Sequence, residues 1–343
     1  VLVWTIDNLL ERPEFVFTCQ SQVLNAQQPE FQPNIIIGGT YSGQIVLWDT
    51  RAKSTPVQRS PLSSVGHTHP VYCLDVVGTQ NAHNLVSIST DGTLCAWTLS
   101  NLSQPIEQLQ LQTPPLDGRS AKYSSPAATC MSFEAGQVNQ FYIGTEEGAI
   151  YHGARHGSSR GLSERFRRCP TERRDISQTE VEVQDFNFTG HCAPITALDF
   201  HAAEGGVDLS PYFLTSSLDW SVKLWNKRFT DRPLRTFQSG SSCIYDTKWS
   251  KTHPGIFATA GGDGYLNLWN IGQDVEVPFV QEKVSTHSLN KLAWSNDSRK
   301  LLVGDATGAV HLYDIGEMCI PEKEEWNTVD EAINSLPKPA EQN

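Results

Sequence analysis

At 343 residues the chain is long enough for two ordinary domains or for one large repetitive one. Its 26 Lys and Arg stand against 38 Asp and Glu, and the net charge of −12 argues against a broad basic footprint for nucleic acid or anionic lipid. Hydrophobic residues at 38% suit a folded chain, and no apolar run approaches the roughly 18–20 residues that span a bilayer, so neither a nucleic-acid partner nor direct membrane insertion is expected.

The chain opens on Val1-Leu2-Val3-Trp4, with no initiator Met and no basic-then-apolar leader. This reads as the tail of a strand, and further sequence is expected upstream. A phrase then recurs: small or polar residues, a tight turn with Asp or Gly, alternating apolar residues, and a closing aromatic. It runs Thr40-Tyr-Ser-Gly-Gln-Ile-Val-Leu-Trp48-Asp49, then Ser89-Thr-Asp-Gly-Thr-Leu-Cys-Ala-Trp97. A degenerate copy, Thr145-Glu-Glu-Gly-Ala-Ile-Tyr151, precedes Ser217-Leu-Asp-Trp-Ser-Val-Lys-Leu-Trp225 and Gly262-Asp-Gly-Tyr-Leu-Asn-Leu-Trp269. Asp305-Ala-Thr-Gly-Ala-Val-His-Leu-Tyr313 is the last.

The landmark aromatics Trp4, Trp48, Trp97, Tyr151, Trp225, Trp269 and Tyr313 are separated by 44, 49, 54, 74, 44 and 44 residues. A period near 44 that ends on a Trp-Asp-like pair resembles the WD-repeat propeller blade, with four strands per repeat. Asp-Gly between two apolar alternations is a strong hairpin signal, because the turn needs positive φ. The fold expected is all-β, a seven-bladed propeller over residues 1–316 whose first blade lacks its two leading strands. Inner strands are predicted at Pro70–Val77, Ala128–Phe133, Pro194–Phe200, Cys243–Trp249 and Ser288–Trp294.

Gly66-His67 and Gly190-His191 precede two of these strands. In WD-repeat proteins such a His joins a hydrogen-bonded set with a turn Asp, a hydroxyl and the landmark Trp. The sets predicted here are His67, Ser89, Asp91 and Trp97, and His191, Ser217, Asp219 and Trp225. His beside Asp and Ser also suits a catalytic triad, but recurrence in two repeats favours the satisfaction of buried polar groups.

The 74-residue gap holds an insertion at about 155–187. It carries Arg155, Arg160, Arg165, Arg167, Arg168, Arg173 and Arg174 against Glu164, Glu172 and Asp175. It is either a solvated loop or a surface for an acidic partner. Residues 317–343 form an acidic extension, with a short helix predicted at about 322–336 on the stripe Trp326, Val329, Ile333 and Leu336 and stopped by Pro337. That helix docks either on its own propeller or on a partner. The eight cysteines lack any C-x-x-C pair, and several lie in apolar runs, as reduced buried thiols do. No phosphate loop, metal-ligand spacing or nucleophile–base pair is present, so no cofactor, metal or catalysis is expected.

Further stretches carry a narrower resemblance. Gly38–Asp49, Thr55–Pro61, His67–Cys73, Val76–Asn84, Ser216–Trp225 and Val303–Asp305 closely resemble the C-terminal propeller of cytoplasmic dynein intermediate chains. The likeness runs from Val1 to about Trp326, and the insertion near Glu164–Thr189 departs from it. It implies a non-catalytic subunit of a minus-end-directed microtubule motor, cytoplasmic and microtubule-associated, docked on the dynein heavy-chain tail and supporting cargo attachment. It also implies two copies per motor, with light chains and dynactin bound through an N-terminal segment outside this chain. A free-standing WD-repeat scaffold that reads a peptide is the alternative. It calls for one chemistry at the inner-strand entrances, which instead are mixed: Leu24, Tyr72, Thr129, Thr196, Tyr245 and Asn290. Trp220, Tyr72, Tyr245 and Tyr41 lie beside turns or strand entrances where the blade pattern does not require an aromatic, and they are the predicted partner contacts.

Overall fold

A computed structural model describes residues 1–6, 12–62, 66–112, 125–134, 136–156, 163–166, 190–202, 205–228, 232–238 and 240–336. In chain order the strands are β1 (Leu2–Val3), β2 (Phe15–Val16), β3 (Val23–Gln27), β4 (Ile35–Thr40), β5 (Ile45–Asp49) and β6 (Gln58–Arg59). They continue with β7 (Val71–Thr79), β8 (Ala82–Ser89), β9 (Thr93–Trp97), β10 (Glu107–Gln110), β11 (Ala128–Phe133), β12 (Gln140–Thr145), β13 (Ile150–Ala154) and β14 (Ser163–Phe166). Then follow β15 (Ile195–Phe200), β16 (Tyr212–Ser217), β17 (Val222–Asn226), β18 (Arg235–Phe237), β19 (Ile244–Trp249), β20 (Ile256–Gly261), β21 (Tyr265–Asn270) and β22 (Val280–Lys283). The last are β23 (Leu289–Trp294), β24 (Lys300–Asp305) and β25 (Val310–Asp314), followed by a 3-10 turn at Gly316–Cys319 and helix α1 (Lys323–Ser335).

Consecutive strands pair as meanders. Five sheets have four strands, β23-β24-β25 has three, and β1-β2 is a two-stranded ribbon. Six blade-like sheets are therefore present among the described residues, where the sequence suggested seven blades; only a ribbon stands at the first position. The chain divides into two compact units, Val1–Phe141 with Gly153–Ser163, and Tyr142–His152 with Glu164–Asn343.

Alternation along each strand explains the cores. In the first unit Ile37, Leu47, Leu74, Leu85 and Trp97 share a buried cluster, while Phe17 of the ribbon's flank packs on Trp48 with ring centroids 6.0 Å apart. In the second unit Leu224, Phe237, Trp249, Phe257 and Trp269 share another cluster. Each landmark Trp sits opposite a second-strand residue, as in Leu85↔Trp97, Phe213↔Trp225 and Phe257↔Trp269. There it is sealed, with Trp48, Trp97, Trp225 and Trp269 no more than 1% exposed. Tyr313 is only half-buried, because among the described residues no fourth strand pairs with β25, and Val310 is 66% exposed.

In five of the six blade-like sheets the turn between second and third strands carries a glycine of positive φ: +85° at Gly43, +74° at Gly92, +80° at Gly148 and Gly264, and +88° at Gly308. Without a Cβ this conformation carries no steric penalty. At Gly264 space also forbids one, since a Cβ would come within 2.0 Å of the Ser285 carbonyl oxygen. The Asp of the turn accepts the backbone N–H two residues on, at Thr93 (2.8 Å), Ser221 (3.1 Å), Tyr265 (3.2 Å) and Thr307 (2.9 Å). Such Asx turns explain why Asp recurs before the third strand.

Helix α1 lies on the second unit. Trp326, Val329, Ile333 and Leu336 join the cluster that holds Leu209 and Ile271. Glycines make room for it: a Cβ on Gly205 would fall 2.1 Å from the Trp326 ring, and one on Gly255 would fall 2.8 Å from Val329. At the helix start Glu325 closes a capping box with Glu322, and its carboxylate also meets His253 Nε2 at 3.1 Å. Of the proposed insertion, Ser163–Phe166 supplies the outer strand β14, and residues 157–162 and 167–189 lie outside the described ones. Arg155, counted with the loop, is instead buried: its guanidinium bonds Glu107 at 3.0 Å and the Val138 carbonyl at 3.2 Å.

Candidate functional site

Two polar clusters stand at the turn ends of their sheets. In the second unit the Trp225 indole N–H donates to Thr215 Oγ1 at 2.8 Å, and the Thr215 hydroxyl meets His191 Nε2 at 2.8 Å. His191 Nδ1 meets Asp219 Oδ2 at 2.8 Å, and the same oxygen accepts the Cys192 N–H at 3.2 Å. A neutral imidazole satisfies the whole row: the indole donates to the hydroxyl, the hydroxyl to Nε2, and Nδ1–H to the carboxylate. Burial holds the His191 pKa below its ordinary value, against the opposing pull of Asp219. Burial acts to raise Asp219, but hydrogen bonds from His191, Ser221 and Cys192 outweigh it and keep its carboxyl well below the usual range.

The first unit repeats the arrangement less tightly. Trp97 Nε1 donates to Ser87 Oγ at 2.9 Å, and Ser87 Oγ meets His67 Nε2 at 2.6 Å. His67 Nδ1 is 3.9 Å from Asp91, beyond a hydrogen bond. Asp91 spends Oδ2 on the backbone N–H and hydroxyl of Thr68, at 3.0 and 3.1 Å.

The hydroxyls named from the sequence are thus corrected from Ser89 to Ser87 and from Ser217 to Thr215. Ser89 and Ser217 sit at the turn, where their Oγ atoms accept the N–H of Asp91 and of Asp219 at 3.4 and 3.2 Å. The shift is two residues, one step along the same strand face. The missed signal is a spacing of ten before the aromatic. Thr259 obeys it too, receiving Trp269 Nε1 at 3.4 Å, and at Gly38 a Cβ would lie 2.8 Å from the Trp48 ring.

Asp219, His191 and Thr215 have the bond order of an acid–base–nucleophile row, yet His191 and Thr215 are 0% exposed. A reacting atom has no approach to Thr215 Oγ1, so the row can orient backbone and ring but not receive a substrate. Among the described residues no three His, Cys, Asp or Glu are grouped to hold a metal ion, and no helix is long and apolar enough to cross a membrane.

Two of the four predicted partner contacts, Tyr72 and Tyr245, fall at one kind of place. The inner strands β3, β7, β15, β19 and β23 each carry a register shift that leaves one residue unopposed: Leu24, Tyr72, Thr196, Tyr245 and Asn290. These are β-bulges, which re-aim a side chain at a strand's entrance, and strict alternation gave no sign of them. Tyr72 is 42% exposed and Tyr41 59%, while Tyr245 is half-buried against Gly262 of the neighbouring turn. Trp220 is 49% exposed and occupies the turn position with φ +69°, where the equivalent turns carry Gly.

Comparison with known proteins places these elements in context. The model of the WD domain, G-beta repeat, matches residues 183–226 and 231–270, the stretches that contain β15–β17 and β19–β21. The cytoplasmic dynein 1 intermediate chain of Drosophila melanogaster is 41% identical over 339 residues, 98% of this chain. The chain spans 47%, about half, of that relative's length.

Proposed function

This chain is a WD40-repeat relative of the cytoplasmic dynein intermediate chain, and from that relationship we propose that it is a non-catalytic subunit of the cytoplasmic dynein motor complex. Its propeller docks on the heavy-chain tail and supports attachment of cargo for minus-end-directed transport along microtubules in the cytoplasm. Two copies serve each motor, and light chains and dynactin bind through an N-terminal segment outside these residues. The ribbon β1-β2 is the outer half of a seventh blade, residues 1–316 form the propeller, and 317–343 are an extension that α1 ties down. WD40 repeats and dynein intermediate chains are generally non-catalytic scaffolds, and the burial of the His191 row suits that role.

The observation that carries this reading is the 41% identity sustained over 98% of the chain, well beyond the two matched repeats. The mixed residues at the bulges, Leu24, Tyr72, Thr196, Tyr245 and Asn290, weigh against a free-standing peptide reader, which needs convergent chemistry. Affinity purification of the tagged chain from cells, with mass spectrometry of what co-purifies, tests the reading. Dynein heavy chain at a stoichiometric level supports it. A clean preparation that lacks heavy chain while retaining other partners overturns it in favour of the scaffold.

A further inference from the structure

Trp220 is anomalous in three independent ways. It holds φ at +69°, in the left-handed region that strains a bulky residue. It leaves half of a large apolar ring in water, at 49% exposure. Its indole has no hydrogen bond, ring contact or ion pair among the described residues. The equivalent turns show what packing alone selects. Gly148 is pressed against the His191 carbonyl and Gly264 against that of Ser285, so that a Cβ would approach within 2.5 and 2.0 Å. The loop that follows the Trp220 turn meets it instead at Leu218, whose carbonyl accepts Cys243 Sγ at 3.5 Å, and the ring stands clear.

Among the described residues, the turns on either side of that ring are rich in carboxylates. The turn before it in the second unit presents exposed Glu146 and Glu147, joined to the Trp220 turn through the loop at His191–Ala193 that Gly148 abuts. Asp219 adjoins the ring in sequence, and Asp263 stands in the turn beyond Tyr245. Among the described residues Glu146, Glu147 and Asp263 thus stand in the turns on either side, and Asp219 is turned inward onto His191. The cation Lys283 lies over the Tyr265 ring at 4.4 Å with its ammonium on the Asp263 carbonyl.

We propose that this turn face of the second unit, centred on Trp220 with Tyr245 beside it, is a docking surface for a basic amphipathic segment of the heavy-chain tail. Apolar side chains of the segment cover the indole face, and its Lys or Arg residues meet Glu146, Glu147 and Asp263. A cation over the indole adds to the attraction, and a large aromatic anchor is a common centre of binding energy. The assignment rests on the reading of this chain as a tail-docking subunit.

The experiment measures affinity of the full chain for a recombinant heavy-chain tail fragment, and for a synthetic Leu/Lys amphipathic helical peptide with its Leu/Glu counterpart as control. Variants are Trp220→Gly, which suits the turn conformation and leaves the fold intact, and the pair Glu146→Lys with Glu147→Lys. The surface assignment predicts that Trp220→Gly weakens tail binding about tenfold or more. It also predicts that the charge pair weakens binding and flattens its fall with salt. Tail binding that is unchanged in both variants overturns this inference while leaving the proposed function standing. A wild-type chain that does not bind the tail overturns the proposed function instead. The surface is then judged on the peptide: Leu/Lys binding lost in Trp220→Gly supports it, and binding that is absent, matched by Leu/Glu or indifferent to Trp220 overturns it.

Discussion

The hydroxyl of Thr215 lies 2.8 Å from the indole nitrogen of Trp225, ten residues further along the chain. That bond ties the second strand of a blade to its third, and through His191 and Asp219 it reaches the turn and the loop before the inner strand. Replacing Thr215 by Val keeps the shape and deletes the oxygen to which the buried indole N–H and His191 Nε2 both bond. The expected loss is about 2–4 kcal/mol, the cost of two buried hydrogen bonds. Ser217→Ala, which gives up bonds to the Ala193 carbonyl and the Asp219 N–H and no bond to the row, costs less, about 1 kcal/mol. Urea denaturation of the two variants checks the order; equal losses contradict the assignment of Thr215.

Trp220→Gly is expected to stabilise the free chain by about 1 kcal/mol, because a residue without Cβ takes φ +69° at no steric cost. A raised thermal midpoint, read by circular dichroism, is the expected result. A lowered one means that the ring supports the fold, which its exposure does not suggest.

Acid should loosen the second unit. His201 is buried against Trp249, with ring centroids 4.7 Å apart, and its Nε2–H donates to the Pro254 carbonyl at 2.9 Å. Burial lowers its pKa from 6.5 to about 4. The folded pKa is depressed, so between these values the unfolded chain binds the extra proton. The stability is whole above pH 6.5 and drains away as pH falls towards about 4. His191 and His253 are lowered by burial as well and act with the same sign. His201 alone accounts for about 3 kcal/mol across that window. Denaturation midpoints between pH 8 and pH 4.5 check this, and His201→Gln, which keeps an N–H for Pro254, flattens the fall.

Much of this was legible because repetition is legible. Trp48, Trp97, Trp225 and Trp269 recur with Asp-Gly or its variants before them, and period-two alternation then dictates which rings are buried. Trp220 stood out for the same reason, as a large residue where the pattern asks for Gly. The choice between Ser87 and Ser89, or Thr215 and Ser217, was not legible: both members of each pair lie on one strand face, and only the strand register says which hydroxyl reaches the indole. Bulges at Tyr72 and Tyr245 were hidden too, since an unopposed residue leaves no mark in a single strand's pattern. The helix showed its apolar stripe, while the floor that receives it, Gly205, Gly255 and Gly272, comes from distant loops that no local pattern joins.

That floor supports a further expectation. Gly255→Val places methyl groups where Val329 now lies, 2.8 Å from a Cβ alone, and should lift α1 from the second unit. Trp326→Ala empties its pocket at a cost of about 3–5 kcal/mol. Hydrogen exchange within Lys323–Ser335 should accelerate in both variants while exchange in β4, β5, β8 and β9 of the first unit stays as in the parent. Unchanged protection of the helix contradicts the docking geometry.

The most direct test of the motor-subunit reading is light scattering during size-exclusion chromatography of this chain with a purified dynein heavy-chain tail fragment. A single peak whose mass equals one chain per tail polypeptide, persisting on dilution, is the predicted result. Two separate peaks, with the WD40 chain folded by circular dichroism and the tail intact, would contradict it.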